Sequence, residues 1–234
     1  MTSLEKDGGQ IAAMFDKLAP RYNLMNRMMT FGQDQGWRRR VVQLAKIEGS
    51  MRVLDLATGT GDIALLVRDK HPQSQVTAGD FSEGMMAWGK QRPGGDSVEW
   101  CTCDALNMPF EDATFDRIVY GYLLRNVADV DRALQEIKRV LKPGGRMVCL
   151  DTTPPKKGLL YPFIQLWMKF GVPTLGRILA GSSGSYSYLT QSTLAFESPA
   201  SLKAIMEKND FENVNFETYM FHTIAIHSAD KPLS

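Results

Sequence analysis

Short apolar segments alternate with amphipathic ones through the middle of the chain, from residue 51 to about residue 153. The apolar segments RVLDLA, QVTAGD, SVEWCTCDA, FDRIVYGYLL and RMVCLDTT have the length and content of strands buried in a sheet. The stretches between them, DIALLVRDK, SEGMMAWGKQR and DVDRALQEIKRVL, carry apolar residues at helical spacing, and KPGG ends the last one. This alternation predicts an α/β fold with a doubly wound, mostly parallel sheet and helices on both faces.

The regions on either side of this core extend it into a single domain. The first 50 residues have apolar positions at helical spacing, interrupted at Pro20 and Gly32, which predicts two or three helices. Near the end, SPASLKAIMEKND predicts a helix, and FENVNFETY and TIAIHSA predict two antiparallel edge strands. We therefore divide the domain into an N-terminal helical cap (1–50), a ligand-binding core (51–153), an inserted helical lid (154–190) and a C-terminal helix with edge strands (191–234).

Composition argues against several classes of protein. Lys and Arg number 27 and Asp and Glu 26, and a net charge of +1 disfavours a nucleic-acid-binding protein, which needs an excess of basic residues. Three cysteines without a CxxC pair indicate neither a disulfide framework nor a zinc site, and we expect no metal. MTSLEKDGGQ lacks the apolar segment of a secretory signal, and the apolar stretch 158–181 contains prolines and charges that disfavour a membrane span. We therefore expect a cytoplasmic protein.

Acidic residues and glycines mark the ends of the first three predicted strands. Asp55, Asp80 and Asp104 close these strands, and doubly wound sheets bind ligands beyond the carboxyl ends of their strands, where the strand order reverses. Gly59 and Gly61 follow the first acid and allow the backbone to turn tightly and approach a ligand. Asp80 is placed to accept hydrogen bonds from the two hydroxyls of a ribose, and Asp104 to accept one from an exocyclic amine such as that of adenine.

The turn after the first strand distinguishes between two cofactors that both contain adenosine. A dinucleotide-binding turn has the pattern GxGxxG, and Ala64 stands here in place of the third glycine. Asp62 puts a negative charge where the pyrophosphate of a dinucleotide would lie, which disfavours a nicotinamide-dependent oxidoreductase. The same charge suits the sulfonium and ammonium groups of S-adenosylmethionine, which is therefore the expected cofactor.

The chain resembles class I methyltransferases, which have a Rossmann-like fold, in the blocks DLATGTGD, CDALNMPFEDATFDRIV and LKPGG. More narrowly, it resembles the UbiE/MenG family of quinone-biosynthesis C-methyltransferases in FDKLAPRYNLMNRMMTFGQDQGWRR, LLRNVADVDRAL, RVLKPGGRMVCLDTT, SYSYLTQST and TIAIHSADKP. The resemblance covers nearly the whole chain. It implies S-adenosylmethionine-dependent methylation of a ring carbon of a prenylated quinol, demethylmenaquinol to menaquinol, with a benzoquinol precursor of ubiquinone or another small aromatic acceptor as the alternative.

Some positions differ from the family pattern. Asn23 replaces the usual aspartate after the tyrosine of the N-terminal block, and Asp34 stands where a histidine precedes the tryptophan. Asp151 and Thr153 replace a glutamate and a serine after the fifth strand, and Leu123 replaces a glycine. Most of these changes are chemically conservative, and they bear on which quinone is methylated more than on the type of reaction.

The resemblance also implies which residues carry the reaction. A quinol carbon becomes nucleophilic when the adjacent hydroxyl loses its proton, so the site must stabilise an oxyanion and accept a proton. Arg125 is expected to stabilise the oxyanion or to orient a water that takes the proton, Asn126 to position that group, and Tyr22 to contact a quinol oxygen. In a structural alternative Arg125 pairs with Asp129 or Asp131. The expected cofactor-binding residues are Asp55, Thr58, Gly59, Thr60, Gly61, Asp80, Phe81, Asp104, Ala105 and Gly121.

The apolar lid indicates how a lipid-soluble substrate is held. It predicts a cover over the isoprenoid chain of a prenylated quinol, and contact with the inner face of the membrane in which that chain dissolves. Core packing, or packing between the subunits of a homodimer, is the alternative role. A protein that binds the cofactor without catalysis is a further alternative, which the Arg125-Asn126 pair disfavours. The apolar side chains expected to form the cover are Phe163, Leu166, Trp167, Phe170 and Leu175.

Overall fold

The computed structural model describes residues 8–159, 161–172, 174 and 183–233. A short 3₁₀ turn, Gly95–Ser97, precedes β3, and a π-helical turn, Trp167–Gly171, follows α6. The elements in chain order are α1 (Gly8–Met29), α2 (Asp34–Ala45), β1 (Arg52–Leu56), α3 (Asp62–Lys70), β2 (Gln75–Asp80), α4 (Glu83–Lys90), β3 (Glu99–Thr102), β4 (Phe115–Gly121), α5 (Val130–Val140), β5 (Leu141–Thr152), α6 (Tyr161–Leu166), α7 (Ser183–Ala195), α8 (Pro199–Lys208), β6 (Glu212–Tyr219) and β7 (Ile224–Asp230).

The strands form one sheet in the order β3-β2-β1-β4-β5-β7-β6. The first five of these run parallel, and β7 pairs antiparallel with β5 and with β6. The chain builds outward from β1 to β3 on one side and from β4 to β5 on the other, so the strand order reverses between β1 and β4. The predicted doubly wound sheet and its antiparallel edge are confirmed.

Residues 8–50 of the N-terminal region form two helices, and Pro20 does not interrupt the first of them. Pro20 lies inside α1, although an interior proline removes one helical hydrogen bond. Leu18 and Met25, on either side of the proline, are buried in the same small apolar cluster, and this packing holds the two halves in line. The chain turns at Gly32, with φ +75°, before α2 begins.

Two further predictions at element ends need correction. The third strand stops at Thr102, so Asp104 lies in the loop two residues beyond it. The segment KPGG does not lie outside the sheet, because β5 begins at Leu141 directly after α5. Gly144 donates to the carbonyl of Lys231 at 3.0 Å and Gly145 accepts from the amide of Lys231 at 2.9 Å, so the C-terminal tail extends the pairing of β5.

Apolar helix faces cover both sides of the sheet. Neighbouring residues of β4 point in opposite directions, so that Ile118 and Tyr120 enter one buried cluster and Val119 enters the other. The first cluster includes side chains from α5 and α8, and the second includes side chains from α2 and α3. Packing on both faces fixes the sheet and leaves the carboxyl ends of its parallel strands free to form a site.

The described part of the lid contains α6, the π-helical turn and the first part of α7, and the predicted boundary at residue 190 falls inside α7, which continues to Ala195. We therefore count all of α7 as part of the lid. The predicted lid residue Leu175 lies outside the described residues. Of the helices in the described ranges, none has the length and hydropathy needed to cross a bilayer.

Candidate active site

A cavity of about 350 Å³ opens at the carboxyl ends of the strands, beside the reversal of strand order between β1 and β4. Ligands of doubly wound sheets bind at this place. We call this cavity the cofactor cleft. Six of the ten predicted cofactor-binding residues line it: Gly59, Asp80, Phe81, Asp104, Ala105 and Gly121.

Asp55 lies beneath the glycine turn and not in the cofactor cleft. Its buried carboxylate accepts hydrogen bonds from Thr58 Oγ1 at 2.6 Å and from the amide of Ala64 at 2.8 Å. Burial raises the pKa of Asp55 to about 7, although both hydrogen bonds oppose the shift. Asp55 and Thr58 line a small cavity behind the turn together with Thr60, so these three residues shape the turn from below.

The two glycines of the turn serve different purposes. Gly59 adopts φ +57° and its amide donates to Asp80 Oδ2 at 2.6 Å, which ties the turn to the end of β2. Gly61 adopts φ +79° at the start of α3, where a Cβ would lie 2.5 Å from the ring of Trp100. Gly61 does not line the cofactor cleft, and its role in the structure is to let Trp100 pack against the turn.

Backbone amides orient the two carboxylates of the cleft. Asp80 accepts from the amides of Gly59 and Ser82, the latter at 2.8 Å, and burial raises the pKa of Asp80. Asp104 is exposed, and its Oδ1 accepts from the amide of Leu106 at 2.9 Å. Because each carboxylate oxygen can accept two hydrogen bonds, both side chains retain capacity for the hydroxyl and amine groups of a ligand.

Asp62 does not present an unpaired negative charge to the cofactor, contrary to the sequence-based argument. Its Oδ2 lies 3.1 Å from Arg38 Nη2 and its Oδ1 lies 2.5 Å from Arg92 Nη1. Arg38 also pairs with Asp34, one of the positions that departs from the family pattern. Asn23, another such position, accepts from Thr60 Oγ1 at 3.0 Å. This ionic network supports the glycine turn from behind.

Helix α1, part of the predicted N-terminal cap, covers the cofactor cleft through contacts that the sequence does not predict. Asp16 of α1 accepts hydrogen bonds from Ser82 Oγ and from the amide of Gly84 at 3.0 Å, and so anchors α1 to the first turn of α4. No local pattern signals this contact, because its partners are more than 60 residues apart. The residues of α1 that line the cleft are Gly9, Ile11, Ala12, Phe15 and Tyr22.

A second, more apolar cavity of about 400 Å³ lies next to the cofactor cleft, and we call it the acceptor cavity. The end of α1, the lid and the turn between β6 and β7 form its walls. Phe163 and Trp167 line it as part of the lid, whereas Leu166 and Phe170 are exposed outside its lining. The apolar residues that line this cavity are Met29, Phe31, Phe163, Ile164, Trp167, Met168, Val172, Leu189, Met220, Phe221 and Ile224.

Tyr22 and Tyr122 line both cavities and therefore mark their junction. Tyr122 follows β4 with φ +62°, a backbone conformation that residues other than glycine rarely adopt. Its amide donates to the carbonyl of Leu150 at 2.7 Å, and its carbonyl accepts from Asn126 Nδ2 at 2.8 Å. Arg125 lines the acceptor cavity and Asn126 the cofactor cleft, so the structure brings the three predicted catalytic residues together.

Arg125 is buried at this junction and pairs with Asp151. Its Nη1 donates to Thr152 Oγ1 at 2.8 Å and lies 3.7 Å from Asp151 Oδ1, and its guanidinium lies 5.1 Å from the ring centre of Tyr122. Burial raises the pKa of Asp151 to about 6, against the lowering effect of Arg125. The alternative prediction, that Arg125 pairs with Asp129 or Asp131, is wrong. Asp129 caps α5, and Asp131 bonds to Asn209 and Lys208.

Residues 1–231 match the model of the ubiE/COQ5 methyltransferase family. The chain belongs to this family. A protein of Desulfotalea psychrophila named ubiquinone/menaquinone biosynthesis C-methyltransferase UbiE is 50% identical over 220 residues, which cover 94% of this chain and 89% of its relative. A demethylmenaquinone methyltransferase of Thermus thermophilus is 42% identical over 221 residues, which cover 94% of this chain and 100% of that protein. The expected S-adenosylmethionine-dependent methyltransferase is thereby confirmed.

Solved structures share the fold of this family member at low sequence identity. A SAM-dependent methyltransferase of Thermotoga maritima is 18% identical with a TM-score of 0.66, and the match covers 94% of this chain and 98% of the other. Phosphoethanolamine N-methyltransferase 2 of Haemonchus contortus, in complex with S-adenosylhomocysteine, is 17% identical with a TM-score of 0.64 over 84% of this chain and 52% of its own. The class I, Rossmann-like fold expected from the sequence is confirmed.

One residue of the family-matching block SYSYLTQST bonds directly to the predicted catalytic residue Asn126. Tyr188 of α7 donates from its hydroxyl to Asn126 Oδ1 at 3.1 Å. Tyr188 is a residue of the site for which the sequence predicted no role. The sequence did contain one signal for such a role. The block resembles the family although it lies outside the cofactor-binding core, and it contains a tyrosine.

Proposed function

We propose that this protein transfers the methyl group of S-adenosylmethionine to a ring carbon of a prenylated quinol and converts demethylmenaquinol to menaquinol. One observation carries the proposal: a cleft with the acceptors needed for an adenosine meets an apolar cavity at Tyr22 and Tyr122, with Arg125 and Asn126 beside the junction. The names of the relatives support a quinone as the acceptor.

The cofactor cleft fits S-adenosylmethionine, which supplies an electrophilic methyl group on a sulfonium. Asp80 accepts from the ribose hydroxyls and Asp104 from the adenine amine, since backbone amides hold both carboxylates and leave lone pairs available. Gly59 and Gly121 let the ligand approach the backbone at the ends of β1 and β4. The exposed ring of Phe81 packs against the nucleoside.

Arg125 stabilises the negative charge that develops on the quinol oxygen next to the reacting carbon. Arginine side chains are always charged in proteins, so the buried guanidinium of Arg125 acts on the oxyanion electrostatically or orients a water that takes the proton. Asn126 positions the reacting groups at the boundary of the two cavities, and Tyr22 contacts a quinol oxygen. Holding the ring carbon in line with the methyl group removes much of the entropic barrier.

The acceptor cavity holds the prenyl tail, and its rim contacts the cytoplasmic face of the membrane. Three phenylalanines from separate segments of the chain line the cavity, and their side chains are largely exposed to solvent. Phe31 is 73% exposed, Phe163 70% and Phe221 65%. Exposed apolar patches around a cavity are typical of binding surfaces for other molecules or membranes. Liposome flotation should recover the wild type with vesicles, and Phe31→Ser/Phe163→Ser should float less.

Trp88→Ser on α4 serves as the control for flotation, because Trp88 is 46% exposed but lies outside the acceptor cavity. Absence of the wild-type protein from the lipid fraction would reject membrane contact. A concentration-dependent dimer that the two phenylalanine substitutions disrupt would instead assign the patch to a subunit interface.

The reaction itself is tested by transfer of a labelled methyl group from S-adenosylmethionine to reduced demethylmenaquinone, beside a demethylated ubiquinol precursor. We expect turnover on the naphthoquinol, strongly reduced in Arg125→Ala. Turnover on the benzoquinol alone would show that the acceptor is a ubiquinone precursor and not demethylmenaquinol. Cofactor binding without turnover on either ring would reject the quinone assignment.

A further inference from the structure

Helix α7 makes two hydrogen-bond connections to the catalytic pair. The hydroxyl of Tyr188 donates to Asn126 Oδ1 at 3.1 Å. One turn and a half further along the helix, Thr193 Oγ1 lies 2.8 Å from Thr152 Oγ1, which accepts from Arg125 Nη1 at 2.8 Å. Each catalytic side chain is therefore held by the same helix, once directly and once through a threonine.

The connection to Asn126 determines how its amide is oriented. Its Nδ2 donates to the carbonyl of Tyr122 and its Oδ1 accepts from Tyr188, so both ends of the amide are engaged. Without the hydroxyl of Tyr188, the oxygen end loses a partner, and the amide has less reason to keep one orientation.

The same helix forms a wall of the acceptor cavity. Leu189, Thr190 and Thr193 line the cavity, and Leu189 is the residue directly after Tyr188. Thr190 Oγ1 donates to the carbonyl of Met168 in the π-helical turn, which connects α7 to the rest of the lid. A molecule that fills this apolar cavity therefore contacts the element that also holds Arg125 and Asn126.

We propose that Tyr188 and Thr193 are positioning residues through which the prenyl tail, by docking α7, sets the orientation of Asn126 and Arg125. The inference rests on the proposed function. Tail contacts then promote the chemical step as well as binding, since binding energy from a remote part of a substrate is used to orient the reacting groups. The tail is a determinant of kcat as well as of KM.

Kinetics with two acceptors test this inference in the full-length protein. Wild type, Tyr188→Phe, Thr193→Val and the double variant are assayed with a prenylated demethylnaphthoquinol and with the same ring without a tail. For the wild type we expect a higher kcat on the prenylated ring. Each single variant should lose about five- to tenfold in kcat on the prenylated ring, the effect of one hydrogen bond, and little on the bare ring.

Ser192→Ala is the matched control, because Ser192 lies in α7 and its hydroxyl bonds only to the carbonyl of Leu189 within the helix as far as the structure describes it. The kcat of Ser192→Ala should depend on the prenyl tail as strongly as the kcat of the wild type does. Equal losses on both acceptors in Tyr188→Phe and Thr193→Val would overturn the inference in favour of general structural support. A wild-type kcat independent of the tail would also overturn it, whereas absence of wild-type turnover on every quinol would reject the proposed function itself.

Discussion

Arg125→Ala should cost both stability and activity, and the two losses can be separated. The substitution removes the partner of a buried carboxylate, since the side chains of Arg125 and Asp151 are only 5% and 4% exposed. Removing one partner of a buried pair costs about 3–5 kcal/mol. We take the lower end, because Asp151 has a pKa of about 6 and takes up a proton readily. For a chain of this length about 3 kcal/mol lowers Tm by roughly 10 °C.

The loss should depend on pH in a defined direction. The pKa of Asp151 is higher in the folded protein than in the unfolded chain, so its contribution to stability is full below the unfolded value and is lost as pH rises through about 6. Arg125 lowers this pKa, and without it the loss extends to higher pH. The difference in Tm between the wild type and Arg125→Ala should therefore be larger at pH 8 than at pH 5.5.

The double variant Arg125→Gln/Asp151→Asn separates stability from catalysis. It replaces the charged pair with a neutral one, so we expect most of the lost Tm to return. The decline in Tm that Asp151 contributes as pH rises through about 6 should be absent from this variant. Methyl transfer should remain about 100-fold or more below the wild type, the usual effect of removing an oxyanion donor. Recovery of both Tm and near-wild-type turnover would refute the reasoning and leave Arg125 with a purely structural role.

Three further predictions concern the glycine turn and its cover. Gly61→Ala should destabilise the protein by about 2 kcal/mol or more in urea denaturation, because the residue has a positive φ and the new Cβ would clash with the ring of Trp100. Gly36→Ala is the control, since Gly36 lies in a helix with open space around its Cβ. This variant should be neutral or more stable by up to about 1 kcal/mol. Asp16→Ala should weaken S-adenosylmethionine binding in calorimetry more than Asp16→Asn does, because α1 loses its anchor on α4; equal affinity in both variants would contradict the role of this anchor. Asp55→Asn should flatten the decline in Tm between pH 5 and 8, because the raised pKa of Asp55 makes the folded state lose stability as pH rises through about 7; an unchanged slope would refute this.

Much of the core could be predicted because its signals are local. The helix α3 and the strand β2 have the predicted ends, since apolar runs there are bounded by acids and glycines. Pro20 misled the prediction because a proline lowers helix stability only by a local cost. The buried residues Leu18 and Met25 outweigh that cost through packing, which sequence spacing around a single proline does not reveal.

The electrostatics of the site could not be read from the sequence. Asp62 was interpreted as a charge facing the cofactor, but Arg38 and Arg92 pair with it from 24 residues before and 30 residues after it. Tyr188 and Asn126 are 62 residues apart and meet only when α7 docks on the sheet. Motifs thus indicated the candidate catalytic residues, while the partners that orient their side chains depend on the tertiary fold.

The single helix α1 contributes walls to both cavities, and its residue Tyr22 lines both of them, so under the proposed function the two ligands contact the same helix. If one ligand restricts the motion of α1, the second ligand no longer has to pay that entropic cost, and the two bind cooperatively. Thermodynamic linkage then requires that the effect is reciprocal. The factor by which the bound methyl donor increases the affinity for the acceptor equals the factor by which the bound acceptor increases the affinity for the donor. The length of one continuous helix, unbroken at Pro20, would then couple the binding of the methyl donor to the binding of the acceptor.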